Sequence, residues 1–225
     1  VVPLEKGLDV YAALGVDFFL ERRELGLFNL GGSGVVSVDG VRYPLESRDC
    51  LYIAKGAKEV LFHSDDAQNP AKFYMVSAPA HCSYETRRLT YADAVKRPMG
   101  SAETSNKRTI CQFIHPSVLK TCQLSMGMTM LEPGSVWNTM PAHTHERRME
   151  IYTYFDIPEG NVVFHFMGES NQTRHVVMHN GQAVINPSWS IHSGAGTANY
   201  SFIWAMGGEN QAFDDMDNLS TMDLR

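Results

Sequence analysis

The chain has 225 residues, 44% of them hydrophobic, with a formal charge of −6 and a pI near 5.8. That length and apolar content suffice for one large all-β unit or two small domains. The acidic balance, with no basic run longer than the Arg-Arg pairs at 22–23, 87–88 and 147–148, argues against nucleic acid or an anionic membrane as the main partner and for a small molecule.

In chain order, Val1–Gly7 does not read as a signal peptide, and no apolar run approaches the eighteen or more residues of a membrane span. A cytoplasmic protein is expected, with further N-terminal structure preceding Val1. Residues 8–15 suit a helical turn or two. From Phe18 to Leu30 the pattern is strand-like; Gly31–Gly34 is a turn, and Val35–Val38, Asp39-Gly40 and Val41–Tyr43 predict a hairpin, because Asp-Gly suits a tight primed turn. Cys50–Ile53, Val60–Phe62 and Lys72–Val76 continue the series. Strands recurring every eight to twelve residues or so point to a sandwich or barrel rather than a βαβ fold.

Residues 81–120 differ in texture, with a helix-like start at Thr90–Ala94 and a polar run from Gly100 to Arg108, and are expected to connect two halves: 1–80 and 121–225. Strand patterning resumes at Thr121–Met130 and continues to Tyr200–Met206, before an acidic tail, Asp214–Asp217. Cysteines 50, 82, 111 and 122 lack a Cys-x-x-Cys pair and are expected as reduced thiols.

The halves look like copies. Glu21-Arg-Arg23 recurs as Glu146-Arg-Arg148, an offset of 125, and Ile53–Glu59 aligns with Asn186–His192, an offset of 133. Phe18 and Leu20 then fall where His143 and His145 lie, and Glu59 where His192 lies. The first half is therefore expected to hold no metal, and its Glu-Arg-Arg to be a structural salt-bridge feature.

His143-Thr-His145 followed by Glu150, with His192 downstream, is the richest constellation in the chain. Residues two apart on a strand share a face, and imidazoles with a carboxylate suit zinc, manganese or ferrous iron. Gly134…His143-x-His145-x4-Glu150…Gly160 and Gly181-x5-Pro187-x-Trp189-x2-His192 resemble the two cupin motifs, with a longer lead from Gly134 and with Trp189 where cupins usually carry Gly. The surrounding words are more specific. Trp137-Asn-Thr-Met-Pro-Ala-His-Thr-His-Glu-Arg-Arg-Met-Glu150, Thr173-Arg-His-Val-Val-Met-His-Asn180, Pro187-Ser-Trp-Ser-Ile-His-Ser-Gly194 and Gly208-Glu-Asn-Gln-Ala-Phe-Asp-Asp-Met-Asp217 resemble the 5-keto-4-deoxyuronate isomerase family, and so do Phe19–Gly26, Lys55–Glu59 and Pro70–Tyr74. The resemblance implies an all-β tandem cupin whose second half alone carries metal. It also implies one zinc ion on His143, His145, Glu150 and His192; conversion of 5-keto-4-deoxyuronate to 3-deoxy-D-glycero-2,5-hexodiulosonate in pectin and uronate breakdown; and a cytoplasmic homohexamer.

Such a reaction needs a polarised carbonyl and an acid/base group. Period two from Glu150 places Tyr152 and Tyr154 on its strand face, so that Glu150, a Tyr or a metal-bound water is the candidate shuttle, with Gln123 on a neighbouring strand. A guanidinium should meet the uronate carboxylate; Arg147, Arg148 and Arg174 are the candidates, Arg148 favoured, and Trp189 is a candidate pocket wall. Two rivals share the ligand set: a cupin dioxygenase or oxidase using a redox metal, and a non-catalytic sugar-acid-binding cupin.

Overall fold

The computed structural model describes residues 1–225, and the backbone groups into two compact units. The first comprises Val1–Ala94 with Ser117–Leu124, the second Val95–Pro116 with Ser125–Arg225.

In the first unit the strands are β1 (Val2–Pro3), β2 (Arg23–Asn29), β3 (Gly34–Val38), β4 (Val41–Leu45), β5 (Cys50–Ile53), β6 (Val60–Ser64), β7 (Phe73–Pro79) and β8 (Arg87–Leu89). They form two antiparallel sheets ordered β1-β6-β3-β4 and β7-β2-β5-β8. The Asp39-Gly40 turn joins β3 to β4 with both residues at positive φ, as a primed hairpin turn requires. One short helix, α1 (Val10–Leu14), starts where the Asp9 carboxylate accepts from the Ala12 amide and stops at Gly15 in the left-handed region. Leu20, Leu25, Leu27, Val36, Leu51, Ile53 and Val60 meet in an aliphatic core.

The second unit contains β9 (Val95–Met99), β10 (Arg108–Ile114), β11 (Ser125–Leu131), β12 (Trp137–Thr144), β13 (Arg148–Phe155), β14 (Val163–Glu169), β15 (Gln172–Met178), β16 (Ala183–Asn186), β17 (Ile191–Gly196), β18 (Ser201–Gly208) and β19 (Asp217–Asn218). A six-stranded sheet, β16-β13-β18-β11-β10-β9, and a five-stranded one, β15-β14-β17-β12-β19, are both antiparallel. Each unit is thus an open jelly roll of two sheets rather than a closed barrel, and the chain is a tandem of them, as expected of a tandem cupin.

Residues 81–120 are not a connector. Arg87–Leu89 pairs with β5 in the first unit, whereas Val95–Met99 and Arg108–Ile114 add two strands to the six-stranded sheet of the second. All five residues of β9 are exposed, so it carries no apolar alternation. Thr90–Ala94 makes a turn closed by the Asp93 carboxylate rather than a helix. The chain then returns: residues 122–124 donate three backbone amides to the fully buried Glu24 carboxylate, 2.8–2.9 Å away. That ionic demand explains why the strand expected from Thr121 begins only at Ser125.

The internal duplication is visible in strand register. In the first unit Leu25 pairs across to Ile53 and Leu27 to Leu51; in the second Glu150 pairs to Asn186 and Tyr152 to Val184. The 125 and 133 offsets reproduce both pairings. The Glu-Arg-Arg of the first half anchors backbone instead of forming the expected salt bridge: Glu21 accepts from the Asp17 amide, Arg22 donates to the Leu14 and Gly15 carbonyls, and Arg23 to Ser77.

Candidate metal centre and cavity

Two sheets supply the site. From the five-stranded sheet, His143 on β12 and His192 on β17 are cross-strand neighbours, and from the six-stranded sheet Glu150 on β13 projects inward. His145 lies one residue past β12, at the start of the turn into β13. The four side chains bring their ligating atoms within 4.8 Å of one another. His143 Nε2 lies 3.0 Å from His145 Nε2 and 3.1 Å from His192 Nε2, and Glu150 Oε2 lies 3.1 Å from His145 Nε2 and 2.7 Å from His192 Nε2.

These separations match the edges of a coordination polyhedron, since a tetrahedron with metal–nitrogen bonds of about 2.0–2.1 Å has edges of roughly 3.3 Å. Proton accounting points the same way. His145 Nδ1 sits 2.9 Å from the Asp215 carbonyl, which only accepts, so Nδ1 carries the ring proton and the Nε2 lone pair faces a carboxylate oxygen. Two lone pairs 3.1 Å apart in a buried site repel; a cation between them removes the repulsion. The donor set of three imidazoles and one carboxylate fits zinc, manganese or ferrous iron.

Local electrostatics prepare the donors. Burial, then the neighbouring His192 and His145, holds the His143 imidazole far below its ordinary value, so it is neutral. Burial alone would raise the Glu150 carboxyl, but the neighbouring His192 and His145 outweigh it and keep the carboxylate ionised.

The centre forms part of the wall of a cavity of about 390 Å³ whose lining includes His143, His145, Glu150, Tyr152, Thr139 and Arg108. That volume lies within the range for small-ligand sites. Tyr152 is buried with its hydroxyl 2.9 Å from that of Thr139, and burial followed by the Glu150 charge pushes its phenol well up, so it is a neutral donor. Thr139 adopts a positive φ of 48°, sparsely populated for a β-branched residue, where β12 departs from regular register between Asn138 and His143.

Besides Glu150 and Tyr152, Arg148 is the one other expected acid/base, carboxylate-binding or pocket-wall residue that borders this cavity. Tyr154 shares the inward face of β13 but not the cavity lining: its hydroxyl is 2.7 Å from His165 Nδ1, and His165 Nε2 donates to Asn186 at 2.7 Å, a buried chain behind the site. Arg148 is inward, yet its guanidinium is spent on the carbonyls of Asn210, Ala212, Phe213 and Asp215, which folds the 210–215 loop against the His145 ring. Arg147 forks onto the Asp215 carboxylate, and Arg174 is exposed on β15, outside the cavity lining. Gln123 belongs to the first unit, where its amide serves Glu24. Trp189 is 53% exposed and does not line this cavity.

Arg108 lines the cavity as Arg148 does, and more of its donors are uncommitted. One of its five N–H donors is used on the Asn106 carbonyl at 2.9 Å, and the rest of the fork is left for an anion. Arg108 ends a polar run that carries no strand signal of its own; only its pairing with Leu131 and Met99 makes it a sheet residue.

The model of the KduI/IolB family matches residues 7–221. The chain belongs to that family. Among KduI/IolB relatives, the 4-deoxy-L-threo-5-hexosulose-uronate ketol-isomerases of Paraburkholderia phytofirmans and Yersinia pestis (strain Pestoides F) are each 56% identical over 229 residues, spanning the whole of this chain and 82% of their own length. Among solved structures, an IolB-like protein of Salmonella typhimurium superposes with a TM-score of 0.72 at 17% identity, over 85% of this chain and 78% of that one, a likeness of fold.

Proposed function

We propose that this chain is a ketol isomerase acting on 4-deoxy-L-threo-5-hexosulose uronate, with zinc as the resident metal and 3-deoxy-D-glycero-2,5-hexodiulosonate as product. The observation that carries the reading is one cavity lined by a cation-ready ligand set, a neutral phenol and an available guanidinium. The 56% identity to named ketol-isomerases along the whole chain supports the substrate.

The substrate is an aldehyde next to a hydroxyl-bearing carbon at one end and a carboxylate at the other. Isomerisation moves a proton from the hydroxyl-bearing carbon to the aldehyde carbon through an enediol, with no net electron transfer to the enzyme, so a redox metal is not required. When bound, zinc would act as a Lewis acid on the vicinal oxygens and lower the energy of negative charge developing there. His143, His145, Glu150 and His192 would hold it, with His145 oriented by the Asp215 carbonyl. Arg108 takes the far carboxylate as a planar, charged fork and so fixes which end of the sugar acid faces the histidines. Tyr152, its orientation held by Thr139, gives its phenol proton to the aldehyde oxygen and recovers one from the neighbouring hydroxyl as that carbon becomes the ketone, so it ends the turnover neutral. The 390 Å³ space is large enough for one six-carbon acid.

No helix is long and apolar enough to cross a membrane. A cytoplasmic homohexamer completes the proposal, and sedimentation of purified protein tests the assembly.

The deciding experiment incubates metal-quantified protein with the hexosulose uronate under anaerobic conditions and follows product by NMR, beside His145→Ala. Zinc-dependent conversion without oxygen, lost in the variant, is expected. Oxygen consumption coupled to turnover, or tight binding with no conversion, overturns the reading.

A further inference from the structure

We propose that Cys82 and Cys122 are a reversible dithiol–disulfide pair in the first unit, a modification site remote in sequence from the metal-site residues. Their sulfurs lie 3.6 Å apart, and the Cys122 thiol is also 3.3 Å from the Cys82 carbonyl, so the two side chains already face one another. A disulfide needs about 2.05 Å, an approach of roughly 1.5 Å that side-chain rotation can supply. Both residues are partly exposed, whereas Cys50 and Cys111 are buried, so an oxidant in solution reaches this pair first.

A ring nitrogen of His81 lies within 4.8 Å of both sulfurs, which raises a second possibility, a thiophilic cation on His81, Cys82 and Cys122. The surroundings favour the disulfide. Directly behind Cys122 is the buried Glu24 carboxylate, which accepts from the amides of residues 122–124 and from the Tyr52 hydroxyl. A cation site would place two thiolates beside that fixed negative charge. Burial and Glu24 push the Cys122 thiol up, and a disulfide is neutral in either case. Its structural effect is definite: it would tie residues 117–124, held now by Glu24 and by Arg87 donating to the Val118 carbonyl, covalently to the stretch just beyond β7.

The reaction is thiol–disulfide exchange with a low-molecular-weight disulfide. One cysteine thiolate attacks a sulfur of the small disulfide and expels one small thiol, leaving a mixed disulfide; the second cysteine attacks the protein sulfur and expels the other. The two cysteines lose two electrons and two protons, which leave as two reduced small thiols.

The test treats the full chain with excess oxidised glutathione, alkylates the remaining thiols and maps peptides without reduction. We expect two of the four cysteines to lose reactivity, a Cys82–Cys122 cross-link with no retained glutathione, full recovery with dithiothreitol, and a higher thermal midpoint in the oxidised form. Cys122→Ser should stop at one glutathione on Cys82 and show no rise. A persistent glutathione adduct on the unaltered protein, four free thiols, or a link involving Cys50, Cys111 or a second molecule overturns the proposal. So does one added equivalent of zinc that shields both thiols from glutathione and binds less well to Cys122→Ser, which would establish the cation site instead.

Discussion

The two units share strand order, register and an internal alignment, yet where one gathers three imidazoles and a carboxylate the other packs aliphatic side chains. At positions paired by the 125 offset, Leu20 stands for His145, Leu25 for Glu150 and Leu27 for Tyr152, and all three leucines are buried together. Glu59, aligned with His192, is exposed, with its backbone amide on the Asp39 carboxylate; the inward residue at that point of β6 is Val60. The jelly roll therefore specifies where inward side chains converge, not what they are. A site needs several polar groups at once, because a single buried carboxylate or imidazole without partners costs several kcal/mol, whereas a full set with a cation satisfies itself.

The largest effect expected from breaking that contrast is at the second unit. His145→Ala or Glu150→Gln should lower kcat by about 10³-fold or more, since the group removed acts in the transition state, and should strip metal from the protein as measured by elemental analysis. A variant that keeps both metal and activity would remove the site from this cavity.

The reciprocal change should not build anything. Leu25→Glu places one carboxylate among Leu20, Leu27 and Ile53 with no imidazole to meet it, and is expected to destabilise by about 3–5 kcal/mol at neutral pH in chemical unfolding. Partial relief below the pKa of the introduced acid would confirm that charge burial is the cause. Unchanged stability would mean that this core is wetter than its packing shows.

Arg108 and Arg148 sharpen the comparison within the second unit. Arg108→Ala should reduce kcat/KM by about 10–100-fold, mainly through KM, with metal content intact, because it removes an ion-paired contact to the far end of the substrate. Arg148→Ala should instead loosen the 210–215 loop, lowering metal affinity through His145. If Arg148→Ala raised KM at full metal occupancy while Arg108→Ala did nothing, the two roles would have to be exchanged.

The pattern of what was legible follows from which interactions are local. The duplicated halves, the Asp39-Gly40 turn and the His143, His145, Glu150, His192 set are carried by spacing and motif, and each is readable along the chain. The choice among arginines is not. Whether Arg148 faces substrate depends on carbonyls sixty-odd residues away, and whether Arg108 lies in a sheet depends on Met99 and Leu131. The return of residues 117–124 to the first unit is invisible for the same reason: it answers to Glu24, about a hundred residues earlier. His165 is not legible along the chain, because a lone histidine between Phe164 and Phe166 carries no motif.

That histidine offers the smallest and most specific test. Burial lowers the His165 imidazole to about 4, so it is neutral between the Tyr154 hydroxyl and Asn186. In the unfolded chain the same group titrates near 6.5. A histidine depressed on folding contributes stability in full above the unfolded value and loses it as pH falls toward the folded one, because the unfolded state then binds the extra proton. In metal-free protein the stability should thus fall by about 2 kcal/mol between pH 6.5 and 4 on account of this residue. His165→Gln keeps one hydrogen bond and cannot titrate, so its stability curve over that window should be shallower by the same amount. Parallel curves for the two proteins would show that the imidazole is not held neutral inside the sandwich, and that the aromatic layer under the ligands is open to water.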